Sequence, residues 1–184
     1  MKKSIDINKG FVLWIMGPTS SGKTTIASKL VEEMNKAKQV ILHYDGDEIR
    51  DRFSSQSGFS EKDRLAVVNN LIHFSNKASN QGINVVVSAL TANEDAREKI
   101  EKDISNLIKV YLDCGINICI ERDPKGLYEK AIKGEIDTLI GYNTPYVTPN
   151  NVELVLNSEN LSPVECVEEI MKYIEVNNLI TVLG

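Results

Sequence analysis

A glycine-rich motif near the start of the chain limits the possible folds more than any other feature of the sequence. Residues 17–25 read GPTSSGKTT and match the pattern G-x-x-x-x-G-K-[ST] in full. An apolar run at residues 11–16 precedes the motif, and a stretch compatible with a helix follows at residues 26–35. In such a unit the loop N–H groups and the positive end of the helix hold the phosphates of a nucleotide. The sequence therefore predicts a P-loop rather than a glycine-rich turn with a chance lysine.

The residues of this loop have distinct predicted roles toward ATP and Mg²⁺. Gly17 and Gly22 let the backbone approach the phosphates closely, and Lys23 reaches the β and γ phosphates. Thr24 is the predicted Mg²⁺ ligand, so Mg²⁺ is the expected cofactor. The other loop residues predicted to bind ATP are Pro18, Thr19, Ser20, Ser21 and Thr25.

Length and charge favour one soluble domain that binds small ligands. The chain has 184 residues, of which 42% are hydrophobic and 26% charged, so residues 1–184 are predicted to form a single kinase domain. A net charge of −5 argues against broad binding to nucleic acid or to anionic membranes. Cys114, Cys119 and Cys166 lack metal-ligand spacing and favour free thiols in the cytoplasm. The sequence shows neither a secretion signal nor an apolar run of 18 residues.

Apolar runs alternate with helix-compatible segments along the chain, which is typical of an α/β fold with helices on both faces of a parallel sheet. The predicted strands are residues 11–16, 40–44, 83–90, 107–112 and 152–156. The predicted helices are residues 23–35, 61–80, 93–104, 117–122 and 163–177, the last starting with a capping box of Ser162 and Glu165. Residues 134–151 are predicted to form a lid. Because ligands bind beyond the carboxyl ends of such strands, the loops after Met16, Tyr44 and Leu90 are expected to converge on one cleft.

The segment after the second predicted strand carries the charges that phosphoryl transfer needs. Residues 45–50 read DGDEIR. Asp47 is the candidate base for an acceptor hydroxyl, and Arg50 is a candidate anchor for an acceptor phosphate. Asp45 is predicted either to bind the metal directly or to hold a group that binds it. Without a P-loop, a solvated acidic turn would be the better interpretation. With the P-loop, Lys23, Asp45 and Asp47 are the predicted catalytic residues.

Further motifs, in the same order along most of the chain, resemble the adenylylsulfate (APS) kinase family. They are Leu13-Trp14, the DGDEIR segment, Gly58-Phe59-Ser60 with Asp63-Arg64, RDPKGLY at residues 122–128, GEI at residues 134–136, Pro145-Tyr146 and the predicted strand 152–156. The resemblance implies a P-loop kinase that transfers the ATP γ-phosphate to the ribose 3′-hydroxyl of adenosine 5′-phosphosulfate (APS). It also implies a homodimer.

The same resemblance assigns residues to each substrate. Asp47 and Arg50 face the acceptor nucleotide, Phe59 stacks on its base, and Arg64 and Lys125 hold its 5′ side and ribose. The acceptor set also includes Asn69, Leu90, Thr91, Leu139 and Ile140, and Arg122 joins the residues that bind ATP.

The chain departs from the family pattern at three places around the acceptor. Val67 and Asn69 stand where the family usually has Asn and Arg, Leu139 replaces a second base-stacking Phe, and residues 89–92 read ALTA in place of Phe-Ile-Ser-Pro. These changes remove polar contacts to an anionic acceptor and one aromatic partner of its base. They favour a specialised relative acting on cytidine diphosphoramidate, in the synthesis of capsular O-methyl phosphoramidate. APS kinase is the alternative.

Two other classes of nucleotide-binding protein compete with a kinase. A GTPase would need N/T-K-x-D, but residues 76–79 read NKAS and lack the aspartate. A non-catalytic nucleotide-binding switch would keep Lys23 and Thr24 without using Asp47, and it stays an alternative. His43 and His73 are predicted to be packed or surface residues, since neither has a partner at metal-ligand spacing.

Overall fold

The described residues form a parallel sheet between layers of helices. The computed structural model describes residue 6 and residues 8–53 and 60–179. Within these residues lies a five-stranded sheet in the order β2-β3-β1-β4-β5. The strands are β1 (Val12–Met16), β2 (Ile41–Asp45), β3 (Asn84–Ser88), β4 (Leu107–Asp113) and β5 (Leu154–Asn157). The helices are α1 (Lys23–Lys36), α2 (Gly46–Phe53), α3 (Glu61–Ser79), α4 (Glu94–Asp103), α5 (Ile116–Arg122), α6 (Leu127–Ile132) and α7 (Pro163–Val176). The predicted α/β fold of the P-loop type is confirmed.

Strand β1 is the centre of the sheet and is buried on both faces. Leu13 and Ile15 pack into one cluster with side chains of α1 and α7. Val12, Trp14 and Met16 point to the opposite face and pack with α3 and α4. Successive side chains of a strand point to opposite faces, so a strand covered on both sides needs an unbroken apolar run. This explains why the run before the P-loop shows no alternation of polar and apolar residues.

Capping side chains set the start of two long helices. In α7, Ser162 Oγ accepts the Glu165 N–H at 3.3 Å, and Glu165 Oε2 accepts the Ser162 N–H at 2.8 Å. This confirms the predicted capping box. Ser60 and Asp63 form the same arrangement at the start of α3. Each box satisfies N–H groups that have no partner inside the helix.

Helices α2 and α6 were not predicted. The sequence interpretation treated residues 45–50 as a polar loop, yet α2 begins at Gly46. Asp47 and Glu48 lie in its first turn and Arg50 and Arg52 in its last, positions at which these charges interact favourably with the helix dipole. Helix α6 has only six residues, and the Asp123 carboxylate accepts the N–H groups of Leu127 and Glu129, both at 2.9 Å.

The parallel topology brings functional loops to one edge. Strands β1, β2 and β3 end at Met16, Asp45 and Ser88, and all five strands run in the same direction. The chain passes from β1 to β2 on one side and later reaches β4 on the other side of β1. A crevice forms where connections diverge in this way. Among the residues that the structure describes, no helix is long and apolar enough to cross a membrane.

Candidate active site

A cleft of about 1040 Å³ opens at the carboxyl ends of the strands. Its walls come from the P-loop and the first turn of α1, from α2 and α3, from the segment after β3, and from parts of residues 122–127 and 134–151. The predicted convergence of the three loops is therefore confirmed. Within the lid segment, residues 136–140, 144–145 and 147 line the cleft, while the closing motion stays a prediction.

The P-loop presents an open helix end to the cleft. Gly22 caps α1 in the left-handed conformation with φ 96°, no side chain caps the helix, and its first turn contains no acidic residue. The first N–H groups of α1 therefore stay available to an anion. Gly17 is required for another reason: a Cβ at this position would lie 2.8 Å from the Leu112 carbonyl oxygen.

The Lys23 ammonium is held inside the loop. Its Nζ donates to the Pro18 carbonyl oxygen at 2.6 Å. Loss of hydration on burial lowers the pKa of Lys23 to about 8, although Asp47 and Asp45 act in the opposite direction. A phosphate near Nζ would favour the charged form and raise this pKa again.

Asp45 is the centre of a hydrogen-bond network beside the P-loop. Its Oδ2 accepts the hydroxyls of Thr24 and Ser88, each at 2.7 Å, and its Oδ1 accepts the Asp47 N–H at 2.8 Å. Desolvation raises the pKa of Asp45, but the bonds from Ser88 and Thr24, with those from the backbone, outweigh it and hold the pKa below its usual value. The carboxylate is therefore ionised at neutral pH.

The oxygen atoms of Thr24 and Asp45 are suitable ligands for Mg²⁺. Mg²⁺ prefers oxygen ligands and usually takes only one or two from the protein, with phosphates and water completing its shell. Thr24 Oγ1 and the Asp45 carboxylate provide such a pair at the start of α1. Within the described segments no group of three His, Cys, Asp or Glu side chains could hold a metal alone. The site thus suits a metal that arrives with its nucleotide.

Asp47 lies in the first turn of α2, and each of its carboxylate oxygens forms an ion pair. Arg50 Nη1 is 2.8 Å from Oδ1, and Lys125 Nζ is 2.5 Å from Oδ2. Arg64 adds a third cation on the same side of the cleft. The pKa of Arg64 is lowered mainly by burial and to a smaller extent by the nearby charge of Arg50. Its Nη2 donates to the Thr138 carbonyl oxygen of the lid segment at 2.8 Å. The arrangement can hold an anionic acceptor beside a carboxylate.

Apart from Asn69, the remaining residues predicted to bind substrate divide into three groups. Thr19, Ser20, Gly22, Thr25, Leu90, Thr91, Lys125, Leu139, Ile140 and Arg122 line the cleft. Gly17, Pro18 and Ser21 belong to the P-loop but do not line the cleft, and Ser21 is fully buried. Phe59, the predicted base-stacking residue, lies outside the described residues.

The structure does not place Asn69 in the cleft. Arg64, Val67 and Val68 line it from α3, whereas the exposed Asn69 borders a separate shallow groove between α3 and α4. Each residue turns a helix by about 100°, so the residue after Val68 points to another face. The order of letters in the motif did not reveal this face.

Two further predicted acceptor residues are committed to packing. The Thr91 hydroxyl accepts the indole N–H of Trp14 at 2.9 Å in the core, and Thr91 is only 5% exposed. Leu139 is buried in a cluster with Cys119 and Tyr128 while also bordering the cleft. The hydroxyl of Thr91 is therefore not directed at a ligand.

Sequence reasoning missed Ser88 and set His43 aside. Ser88 pairs with Asp45 across β2 and β3, and His43 Nε2 lies 2.8 Å from Ser88 Oγ. Strand order was needed to find this contact, because 43 residues separate Asp45 from Ser88. The only signal in the sequence was a polar residue at the end of each of two apolar runs.

Known proteins resemble this chain in both sequence and fold. The sequence model of the family described as adenylylsulphate kinase matches residues 9–157. A probable adenylyl-sulfate kinase of Pyrococcus abyssi is 34% identical over 164 residues, covering 89% of this chain and 94% of the relative. The adenylyl-sulfate kinase of Clostridium kluyveri is 32% identical over 176 residues, covering 95% and 88%. The structure of the Mycobacterium tuberculosis APS kinase in complex with AMPPNP and APS aligns with a TM-score of 0.84 and 29% identity, covering 91% of this chain and 98% of that one.

Proposed function

The chain belongs to the adenylylsulphate kinase family, and we propose that it transfers the γ-phosphate of ATP to the ribose 3′-hydroxyl of APS. It is a phosphotransferase with a hydroxyl acceptor. The observation that carries the proposal is the position of Asp47, which lines the same cleft as Lys23 and Thr24 and is flanked by cations. A kinase needs the groups that bind ATP and the groups that bind the acceptor to face each other across one cleft.

The P-loop side of the cleft holds the donor. The free N–H groups at the start of α1 and the Lys23 ammonium bind the β and γ phosphates and stabilise the charge that develops on them. Thr24 and Asp45 would hold Mg²⁺, which when bound neutralises phosphate charge. The Thr24 hydroxyl donates its proton in a hydrogen bond to Asp45 Oδ2. The lone pairs of Thr24 Oγ1 are therefore free to face the nucleotide side.

Asp47 acts on the acceptor. Its carboxylate orients the ribose 3′-hydroxyl and accepts its proton as the new O–P bond forms and the bond between the γ-phosphorus and the β–γ bridging oxygen breaks. ADP then leaves with the bridging oxygen. Arg50, Arg64 and Lys125 bind the 5′ phosphosulfate side of the acceptor, because a guanidinium or ammonium forms strong charge-assisted hydrogen bonds with such oxyanions.

Cytidine diphosphoramidate is the second candidate acceptor, and two residues of the cleft favour it. Val67 is 5% exposed and borders the cleft where the family usually has an asparagine, so this wall offers an apolar surface instead of an amide. Leu139 replaces an aromatic ring and gives a less extended contact for a base. The names of the similar proteins support APS more strongly than the cytidine nucleotide.

A side-by-side turnover assay decides between these acceptors. Purified protein is given MgATP with either APS or cytidine diphosphoramidate, and ADP release and the 3′-phosphorylated product are measured. A higher kcat/KM for APS supports the proposal, and a higher value for cytidine diphosphoramidate selects the second candidate. Turnover of neither acceptor by protein that binds ATP would favour the switch. The homodimer stays a prediction, which sedimentation tests directly.

A further inference from the structure

A line of hydrogen bonds runs from the P-loop to the edge of the sheet. Thr24 Oγ1 lies 2.7 Å from Asp45 Oδ2, Asp45 Oδ2 lies 2.7 Å from Ser88 Oγ, and Ser88 Oγ lies 2.8 Å from His43 Nε2. Four side chains from α1, β2 and β3 are thus connected in sequence. His43, at the far end, is half-buried and has no part in the proposed phosphoryl transfer.

Strand register explains why these side chains meet. Asp45 is paired with Ser88, and His43 with Val86, in the parallel ladder of β2 and β3. His43 and Asp45 are two residues apart and therefore point to the same face of β2. Val86 packs in the cluster that contains α1, so this face is the one that α1 covers. The arrangement therefore follows from the fold itself.

The number of available protons fixes the direction of each bond. A carboxylate that is ionised can only accept, so both hydroxyls donate to Asp45. Ser88 has a single proton and uses it on Asp45, so its oxygen must accept from His43. His43 consequently carries a proton on Nε2. A neutral imidazole with its proton on Nε2 meets this requirement.

We propose that His43 is a positioning residue for the Mg²⁺ end of the site, acting through Ser88 and Asp45 on the Thr24 hydroxyl. The His43 N–H holds the Ser88 hydroxyl in the rotamer that donates to Asp45. Ser88 and Thr24 together fix the Asp45 carboxylate, which keeps the Thr24 oxygen available to a metal. Without the His43 donor, the Ser88 hydroxyl turns freely and Asp45 loses one of its two side-chain donors. Partners behind metal ligands commonly have this orienting effect.

The inference rests on the proposed binding of MgATP, and its test measures that binding without an acceptor. ATP affinity is determined by calorimetry in Mg²⁺ and again in EDTA for the wild type, His43→Gln, His43→Leu and His43→Asn. We expect His43→Leu to weaken MgATP binding roughly 10-fold while affinity in EDTA stays within about 2-fold of the wild type. His43→Gln should restore MgATP binding, since its amide N–H reaches the position of Nε2. His43→Asn is one bond shorter and should behave like His43→Leu, which keeps the comparison readable should the leucine variant fold poorly.

A double-mutant cycle separates positioning from simple packing. If His43 acts through Ser88, His43→Leu combined with Ser88→Ala should bind MgATP no more weakly than Ser88→Ala alone. Additive losses, an unchanged Mg²⁺ dependence in His43→Leu and His43→Asn, or a His43→Gln variant as impaired as His43→Leu would each overturn the proposal. A wild type that binds MgATP yet phosphorylates no acceptor would refute the proposed kinase activity but leave this comparison intact.

Discussion

Lys125 Nζ lies 2.5 Å from Asp47 Oδ2, so the proposed base is paired with a lysine that precedes α6 and is remote in sequence. Both side chains are about half exposed. An ion pair this exposed contributes only about 0–1 kcal/mol to stability. An incoming anion can therefore compete for Lys125 at little cost to the fold. The pair aligns Asp47 and keeps a cation next to the position of the acceptor.

Replacing Lys125 with methionine should impair acceptor binding much more than stability. We expect the acceptor KM to rise about 10-fold, because one charge-assisted contact is lost, while the melting temperature stays within about 2 °C. Steady-state kinetics with saturating MgATP and a thermal melt measure both effects. Lys133→Met is the matched control, since Lys133 forms a similar exposed pair with Glu129 but lies outside the cleft lining. An equal change in both variants would show that the effect is not local.

Asp47→Asn should abolish most of the turnover and leave ATP binding almost unchanged. An amide cannot accept the hydroxyl proton, and the loss of a general base costs about 10²-fold or more in kcat. Lys23 and Thr24 keep their contacts, so the dissociation constant of ATP should stay within about 3-fold. Asp51→Asn, on the exposed side of the same helix, is the control. Unchanged turnover in Asp47→Asn would show that Asp47 is not the general base.

Binding of ATP should take up protons near pH 8. The pKa of Lys23 is about 8 in the free protein, because burial disfavours its charge, and nearby phosphates raise it. At pH 8 we expect uptake of about 0.5 proton per ATP, and affinity should fall as the pH rises above 8. Calorimetry in two buffers of different ionisation enthalpy measures this uptake, and Lys23→Arg, which stays charged, should show none. A binding enthalpy independent of buffer in the wild type would contradict the expectation.

The lowered pKa of Lys23 also affects folding. A rise in pH weakens ATP binding but increases the contribution of Lys23 to the stability of the fold. Lys23 in the unfolded chain has the ordinary pKa of 10.5, so between about pH 8 and 10.5 the unfolded state binds more protons than the folded state. The contribution of Lys23 to the free energy of unfolding therefore increases as the pH rises through this window. Denaturant unfolding of the wild type minus that of Lys23→Met, followed from pH 7.5 to 10, should show this increase. A flat difference would indicate that the ammonium is hydrated in the folded protein.

Local patterns in the sequence predicted the main elements of the fold but not the contacts between them. The apolar run of β1 and the capping box at Ser162 are local features, and both predictions agree with the structure. Helix α2 was missed because five of its eight residues are charged, so its sequence resembles a solvated polar turn. The hydrogen bond between Asp45 and Ser88 requires that β3 lie beside β2, and strand order cannot be predicted from a local sequence pattern.

Motif alignment identified the P-loop, Asp47 and Arg50 as cleft residues but misplaced Asn69. The P-loop and the start of α2 are short segments whose side chains all lie near one edge of the sheet. Helix α3 is long, and only a stripe of it borders the cleft. A residue can match a family position in sequence and still point away from the ligand. The Thr91 hydroxyl shows the same limit, because its bond to Trp14 depends on packing across β1 and β3.

Thr91→Val should destabilise the protein without affecting acceptor recognition. Valine keeps the shape and branching of threonine at this position, where φ is 41°, but leaves the buried Trp14 N–H without an acceptor. An unsatisfied buried donor costs about 1–3 kcal/mol, which urea unfolding at 25 °C would measure. Thr91→Ser retains the hydroxyl and should lose less stability, and the acceptor KM should stay at the wild-type value in both folded variants. A Thr91→Val protein of normal stability with a raised acceptor KM would instead restore the role in acceptor binding that the family resemblance implied.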